Sequence, residues 1–173
     1  MTHAAVPLAL ALAAGPARIS PRVALAGMVL AMLPDADVAG FALGIDYAAE
    51  WGHRGASQSL AISGILTLTL ASLWSEARRM APMLFLFVAL ASHGLLDMAT
   101  SGGLGIALWW PVDDSRLFFP ATPIRVSPIG AGFFSWRGVE TLVSEALWVW
   151  LPCAVVVIAG VTLRRTAPPR DPS

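Results

Sequence analysis

Leu142–Leu163 constrains this chain more than any other segment. Its apolar residues are interrupted only by Ser144, Glu145, Pro152, Gly160 and Thr162. Coiled as a helix at 1.5 Å per residue, it reaches roughly 33 Å, enough to cross the hydrocarbon core of a bilayer. The other apolar runs are therefore read as companions in lipid. Met80–Leu96 and Leu60–Trp74 carry almost no charge and are joined by the polar turn SEARR at Ser75–Arg79, which predicts a helical hairpin in the membrane. Two shorter runs, Ala4–Ala14 and Val23–Leu33, flank GPARISPR at Gly15–Arg22, where Gly, Pro and Ser punctuate the chain, and predict a second hairpin. The first of these does not read as a signal peptide, because no cationic stretch precedes it. The expected fold is all-α: a polytopic membrane helical bundle of about five apolar helices, two of them short, with a long extramembrane loop. Residues 1–163 are expected to form one membrane-embedded domain and residues 164–173 a polar tail.

Composition agrees. The chain is 57% hydrophobic and 13% charged, against about 45–50% and 25% for a soluble domain, and disorder needs the opposite balance. All eleven basic residues are arginine and are matched by eleven acids. That balance lacks the basic footprint of a nucleic-acid binder and excludes DNA or RNA as a direct partner. The single cysteine, Cys153, lies in an apolar run and reads as a small core hydrophobe.

Positive residues in short loops stay on the cytoplasmic side. Arg18 and Arg22, Arg78 and Arg79, and Arg164, Arg165 and Arg170 fall in alternate loops. If all five segments cross, they share one face, which predicts an inner-membrane protein with its N-terminus out and its C-terminus in. The opposite, non-cytoplasmic face then carries Asp35, Asp37, Asp46, Glu50, Asp97, Asp113 and Asp114. The loop from about Met98 to Glu140 is too long for a tight connector. Its aromatics, Trp109, Trp110, Phe118, Phe119, Phe133, Phe134 and Trp136, either anchor at the interface or contact a substrate.

All three histidines, His3, His53 and His93, fall at that same face, as do Asp35, Asp37 and Asp97. Ionisable residues at membrane depth are costly and mark function by default. In SHGLLD, His93 and Asp97 are four apart and share one face of a helix, where a metal could bridge them or a hydrogen bond could join them. In LPDAD, two carboxylates follow the proline that ends an apolar run; they suit a hard or borderline cation, and a nearby histidine shifts the preference to zinc, manganese or iron. In GHRGASQS, His53 offers a nitrogen ligand, Arg54 a fork for phosphate or carboxylate, and Ser57 or Ser59 a helix cap. No serine sits in a nucleophile elbow, which disfavours a serine hydrolase.

LPDAD, GHRGASQSL, SHGLLDMATSGG, WWPVDDSRLFFP and PIRVSPIG, in this order from His3 to about Phe134, resemble the YdjM-like family of membrane-bound, metal-dependent hydrolases. That family is described as associated with the inner membrane; its further label, LexA-binding, is not carried over to this chain. It is held to be distantly similar to zinc-dependent phospholipase C and its nuclease relatives, all-helical proteins with His and Asp metal ligands. The resemblance implies a helical metal site built from Asp35 or Asp37, His53, His93 and Asp97, with His3 a further ligand. The family segment His-Arg-Gly-x-Thr-His-Ser reads here with Ser57 for the threonine and Gln58 for the second histidine. Glutamine is a poor zinc ligand beside imidazole, so the number of metals is open.

The expected function is hydrolysis of an ester or phosphoester, such as a lipid head group, by a water that a divalent cation, zinc or manganese, has acidified. Whichever of Asp35 and Asp37 does not ligate would serve as general base, and Arg54, Arg116 or Arg125 would hold the anionic group. The alternative is a non-catalytic membrane protein with a structural metal site or a metal or proton pathway. Ionisable groups gathered at helix ends, with almost none mid-span, favour the enzyme.

Overall fold

The computed structural model describes residues 2–126 and 133–166. A 3-10 turn, Thr2–Ala4, leads into α1, Ala5–Ala14, which ends at Gly15 with φ of 81°. Ser20 caps α2, Pro21–Leu30, by accepting from the Val23 N–H, with Pro21 in the first turn where its missing N–H is harmless. Pro34 does not end this rod. The chain tightens into 3-10 winding over Leu33–Leu43 and stops at Gly44 in the left-handed region, so that Pro21–Leu43 is long enough to span. After a one-turn 3-10 helix at Ala56–Gln58, Ser59 caps α3, Leu60–Leu73, through the Ile62 N–H. The Arg78 guanidinium closes the far end of α3 on the carbonyls of Ala71 and Ser72. α4 covers Met80–Met98.

The last span is one rod in three parts: α5, Trp136–Glu145; a π-helical stretch, Ala146–Trp150; and α6, Leu151–Thr166. The π stretch lies just before Pro152, whose ring and missing N–H disturb the preceding turn of an α-helix. The Leu151 N–H bonds the carbonyl of Ala146, five residues back.

Five apolar helices therefore form the bundle, with no named strand among the described residues. The three long ones are Pro21–Leu43, Met80–Met98 and Trp136–Thr166; the short ones are Thr2–Ala14 and Leu60–Leu73. The expected run Leu60–Trp74 agrees with α3 to within a residue, whereas Val23–Leu33, expected to be short, is lengthened by the 3-10 continuation past Pro34.

Close backbone approach holds the rods together, as expected where lipid removes the hydrophobic drive between helices. A Cβ at Gly160 of α6 would sit 2.7 Å from the Ala13 Cα of α1, and one at Gly94 of α4 would sit 2.8 Å from the Gln58 carbonyl oxygen. The buried hydroxyls of Ser63 and Thr67 bond carbonyls one turn back in α3 and need no partner helix. Ile19, Ala77, Phe85 and Leu86 pack at the end where the two short turns meet. There Arg164 also reaches back to the Leu12 carbonyl at 2.7 Å. Arg170 lies outside the described residues.

The other end collects the start of α1, the end of α2, the start of α3 and the end of α4. Residues 44–59 and 99–126 fold over it as a cap. Arg116 bonds the carbonyls of His53 and Ala49, Trp51 meets Trp110 edge to face at 5.1 Å, and Ala107 N–H bonds the Arg54 carbonyl. The long loop is shorter than expected at its far end, because the helix begins at Trp136. Of the PIRVSPIG motif, residues 127–130 lie outside the described chain.

Candidate metal centre

The 3-10 turn at the start of the chain delivers His3, the 3-10 winding behind Pro34 delivers Asp35, and the penultimate turn of α4 delivers His93. One ligand atom from each lies within 4.8 Å of the other two. His93 is fully buried, and its Nδ1 lies 2.8 Å from the Ala31 carbonyl oxygen. A carbonyl only accepts, so Nδ1 donates, and the neutral ring carries its lone pair on Nε2. That Nε2 has no hydrogen-bond partner; it faces Asp35 Oδ1 at 3.2 Å and Asp97 Oδ2 at 3.9 Å. His3 stacks on His93, with centroids 3.9 Å apart and an interplanar angle of 18°. Its Nε2 lies 3.6 Å from Asp97 Oδ1, and its buried Nδ1 is also without a partner.

Orphaned buried polar atoms are rare because they forfeit water without recompense. His3 Nδ1 has no partner and His93 Nε2 meets only the carboxylates of Asp35 and Asp97, so these two imidazoles with Asp35 form a donor set that a cation would complete. A histidine whose far nitrogen is tied to a carbonyl is the usual posture of a metal ligand. The residues fit a divalent ion.

The six expected ligands do not form one shell. Asp97 sits at the rim of the triad, with Oδ2 3.1 Å from Arg54 Nε. Asp37 and His53 form a separate pair: His53 Nδ1 lies 2.6 Å from Asp37 Oδ1. The other Asp37 oxygen accepts from the Ser57 hydroxyl at 2.6 Å and the Arg54 N–H at 3.2 Å. With both oxygens engaged by donors, Asp37 acts as an anchor for His53.

Arg54 is 6% exposed. Besides Asp97, its guanidinium donates to the Gly102 carbonyl at 2.6 Å and the Thr100 hydroxyl at 3.1 Å. It is consumed in holding Asp97 and the cap, where the sequence reading offered it to substrate. Arg116 is likewise fastened to carbonyls of the cap. Ser59 is the helix cap and Ser57 the ligand of Asp37, dividing two roles the sequence left open. Gln58 is 2% exposed, and neither of its amide atoms has a partner.

A cavity of about 1080 Å³ opens on the centre. His3, Asp35, His53 and Asp97 line its polar side, and Phe41, Leu104, Ile124 and Val149 are among its apolar lining. Arg125, the third arginine of the sequence reading, lines it too, as does Glu145 of the last span. None of the seven loop aromatics does; Phe41 and Tyr47 stand there instead, both meeting the His53 ring edge to face.

The profile of the YdjM inner membrane protein family matches residues 1–167. The chain belongs to that family. Inner membrane protein YbcI of Escherichia coli (strain K12) is 42% identical to it over 156 residues, covering 88% of this chain and 90% of YbcI. No solved structure matches. The YdjM match thus covers every element that builds the centre, from His3 to Glu145. Membership makes this an inner-membrane protein, and its five apolar helices agree. The partners that sequence reasoning did not find in this YdjM protein are the Ala31 and Gly102 carbonyls and the Thr100 hydroxyl. A backbone carbonyl leaves no mark in a sequence, and Thr100 carried no signal apart from its place beside Asp97.

Proposed function

We propose that this YdjM-family protein is a membrane-bound, metal-dependent hydrolase that cleaves an ester or phosphoester of a lipid head group. The observation that carries this reading is the His3–Asp35–His93 group, in which Nε2 of a buried, carbonyl-anchored His93 faces Asp35 Oδ1 at 3.2 Å, beside a largely apolar cavity that His3 and Asp35 line. These three residues would hold the ion. Two imidazoles and a carboxylate favour zinc, with manganese second, and either supplies Lewis acidity that acidifies a water and stabilises developing negative charge.

The protein's own residues supply the rest. Asp97, braced by Arg54, orients His3 through its Nε2. His53 lines the cavity with Nδ1 committed to Asp37, which leaves Nε2 to take a proton from the attacking water and return it to the leaving oxygen. Asp37 is thus a positioning residue, replacing the general-base role expected from sequence. Arg125 holds the anionic group. The apolar wall accepts the hydrocarbon of the substrate. The arginine-bearing ends lie in the cytoplasm under the positive-inside rule, which puts the centre on the non-cytoplasmic face, N-terminus out.

Elemental mass spectrometry of the detergent-purified protein, beside a His93→Ala, Asp35→Ala variant, tests this reading. About one equivalent of zinc or manganese, absent from the variant, together with metal-dependent release of product from phospholipids, supports it. Bound metal without turnover on any phospholipid would instead favour a structural metal site. Protein that neither holds nor takes up metal would sink both.

A further inference from the structure

We propose that the cavity selects a zwitterionic aminoalkyl phosphodiester lipid, with Glu145 receiving the ammonium group and Arg125 the phosphodiester. The proposal rests on the hydrolase reading for where the head group lies, and goes beyond it by naming the class of head group.

Glu145 is the one charged residue inside the longest apolar run of the chain. Its side chain lines the cavity at the point where α5 gives way to the π-helical stretch, and Val149, on that stretch, lines the same wall. Widened turns of this kind in a helix recur at functional sites. Among the described residues Glu145 forms no ion pair and no hydrogen bond through its carboxylate. An acid placed in a span without a partner is costly, and such residues earn their place by meeting a charge that arrives from outside.

Arg125 is the complementary group. Its backbone N–H is fixed 2.9 Å from the Ser144 hydroxyl, one residue before Glu145, so the loop is tied to the helix at the cavity wall. Its exposed guanidinium makes no ion pair among the described residues. Two opposite charges thus line one cavity while neither pairs within the protein, although a loop and a helix fastened side by side could have joined them. A ligand carrying both charges satisfies both groups. A purely anionic head group satisfies Arg125 and leaves a carboxylate facing it with nothing to bind, which is discrimination by an unpaired charge.

Lipid, as opposed to a soluble zwitterion, follows from the wall and its border. Val38, Leu104, Ile124 and Val126 continue the apolar lining. Only 6% of the most apolar window of the last span is buried within the protein, which leaves that side open to a bilayer. A molecule half hydrocarbon and half zwitterion matches both.

Native mass spectrometry of the full chain in detergent decides the matter with phosphatidylethanolamine and phosphatidylglycerol offered at equal concentration, before and after chelator treatment. The expected result is retention of phosphatidylethanolamine about tenfold above phosphatidylglycerol, the scale of one added charge-assisted contact. Glu145→Gln should abolish the preference while both lipids still bind, and Arg125→Gln should weaken both. Equal retention of the two lipids by the unmodified chain would overturn the proposal without need of any variant, as would a preference that survives Glu145→Gln. Soluble glycerophosphoethanolamine competing as well as the lipid would overturn its lipid half. A preference that persists in protein devoid of metal and turnover would uphold the head-group assignment while the hydrolase reading fell.

Discussion

His93 Nδ1 donates to the Ala31 carbonyl 2.8 Å away, a bond between residues 62 apart in the chain. It closes the end of α2 onto α4 and, in the same contact, fixes which nitrogen of His93 is free. Bundle packing and the His93 tautomer are therefore set by one hydrogen bond.

His93→Ala should lower metal content to background and also destabilise the apo protein, because the Ala31 carbonyl loses its buried donor. The expected apo effect is about 1–3 kcal/mol. Thermal unfolding with and without added zinc separates the two: the unmodified chain should rise in Tm with the ion and the variant should not.

Asp37→Asn should behave differently. The asparagine keeps the size of the anchor, but its amide no longer fixes His53 as a carboxylate does, so metal stoichiometry should stay unchanged while turnover falls by about 10²–10⁴-fold. A variant that lost metal in proportion to activity would return Asp37 to the ligand set.

Asp97→Ala removes the carboxylate beside Arg54 and leaves a buried guanidinium with neutral partners only. The expected loss is roughly 3–5 kcal/mol, read as a fall in Tm. Asp97→Leu combined with Arg54→Met should recover much of that stability while still disturbing His3, which separates the structural from the positioning share of the pair.

Gln58→Met keeps the volume of a side chain whose two amide atoms are buried and unpartnered. Stability should hold or rise by about 1 kcal/mol with metal content unchanged. A fall in bound metal would instead place Gln58 at the centre, as the histidine it replaces in the resembling family would imply.

The residues of the candidate site were legible because polar groups stand out at the ends of apolar runs. Their division was harder to see, although part of it was written in LPDAD. Side chains two apart do not face one another on a helix, so Asp35 and Asp37 had to serve different partners, and they reach His93 and His53 respectively. The 3-10 winding that carries them gave no sign, since Pro34 looked like an end. Arg54 could not be read as buried, because its partners come from Asp97, Thr100 and Gly102, far along the chain. Glu145 looked like a mere blemish in a span until the cavity behind it was visible.

The candidate metal group and the Asp37–His53 pair all precede Met98, whereas Arg125 and Glu145 come after it. Under the proposed reading, reactivity and preference are inscribed on separate stretches of one polypeptide. Drift after Met98 could then redirect such a protein to another membrane component while its chemistry stayed intact.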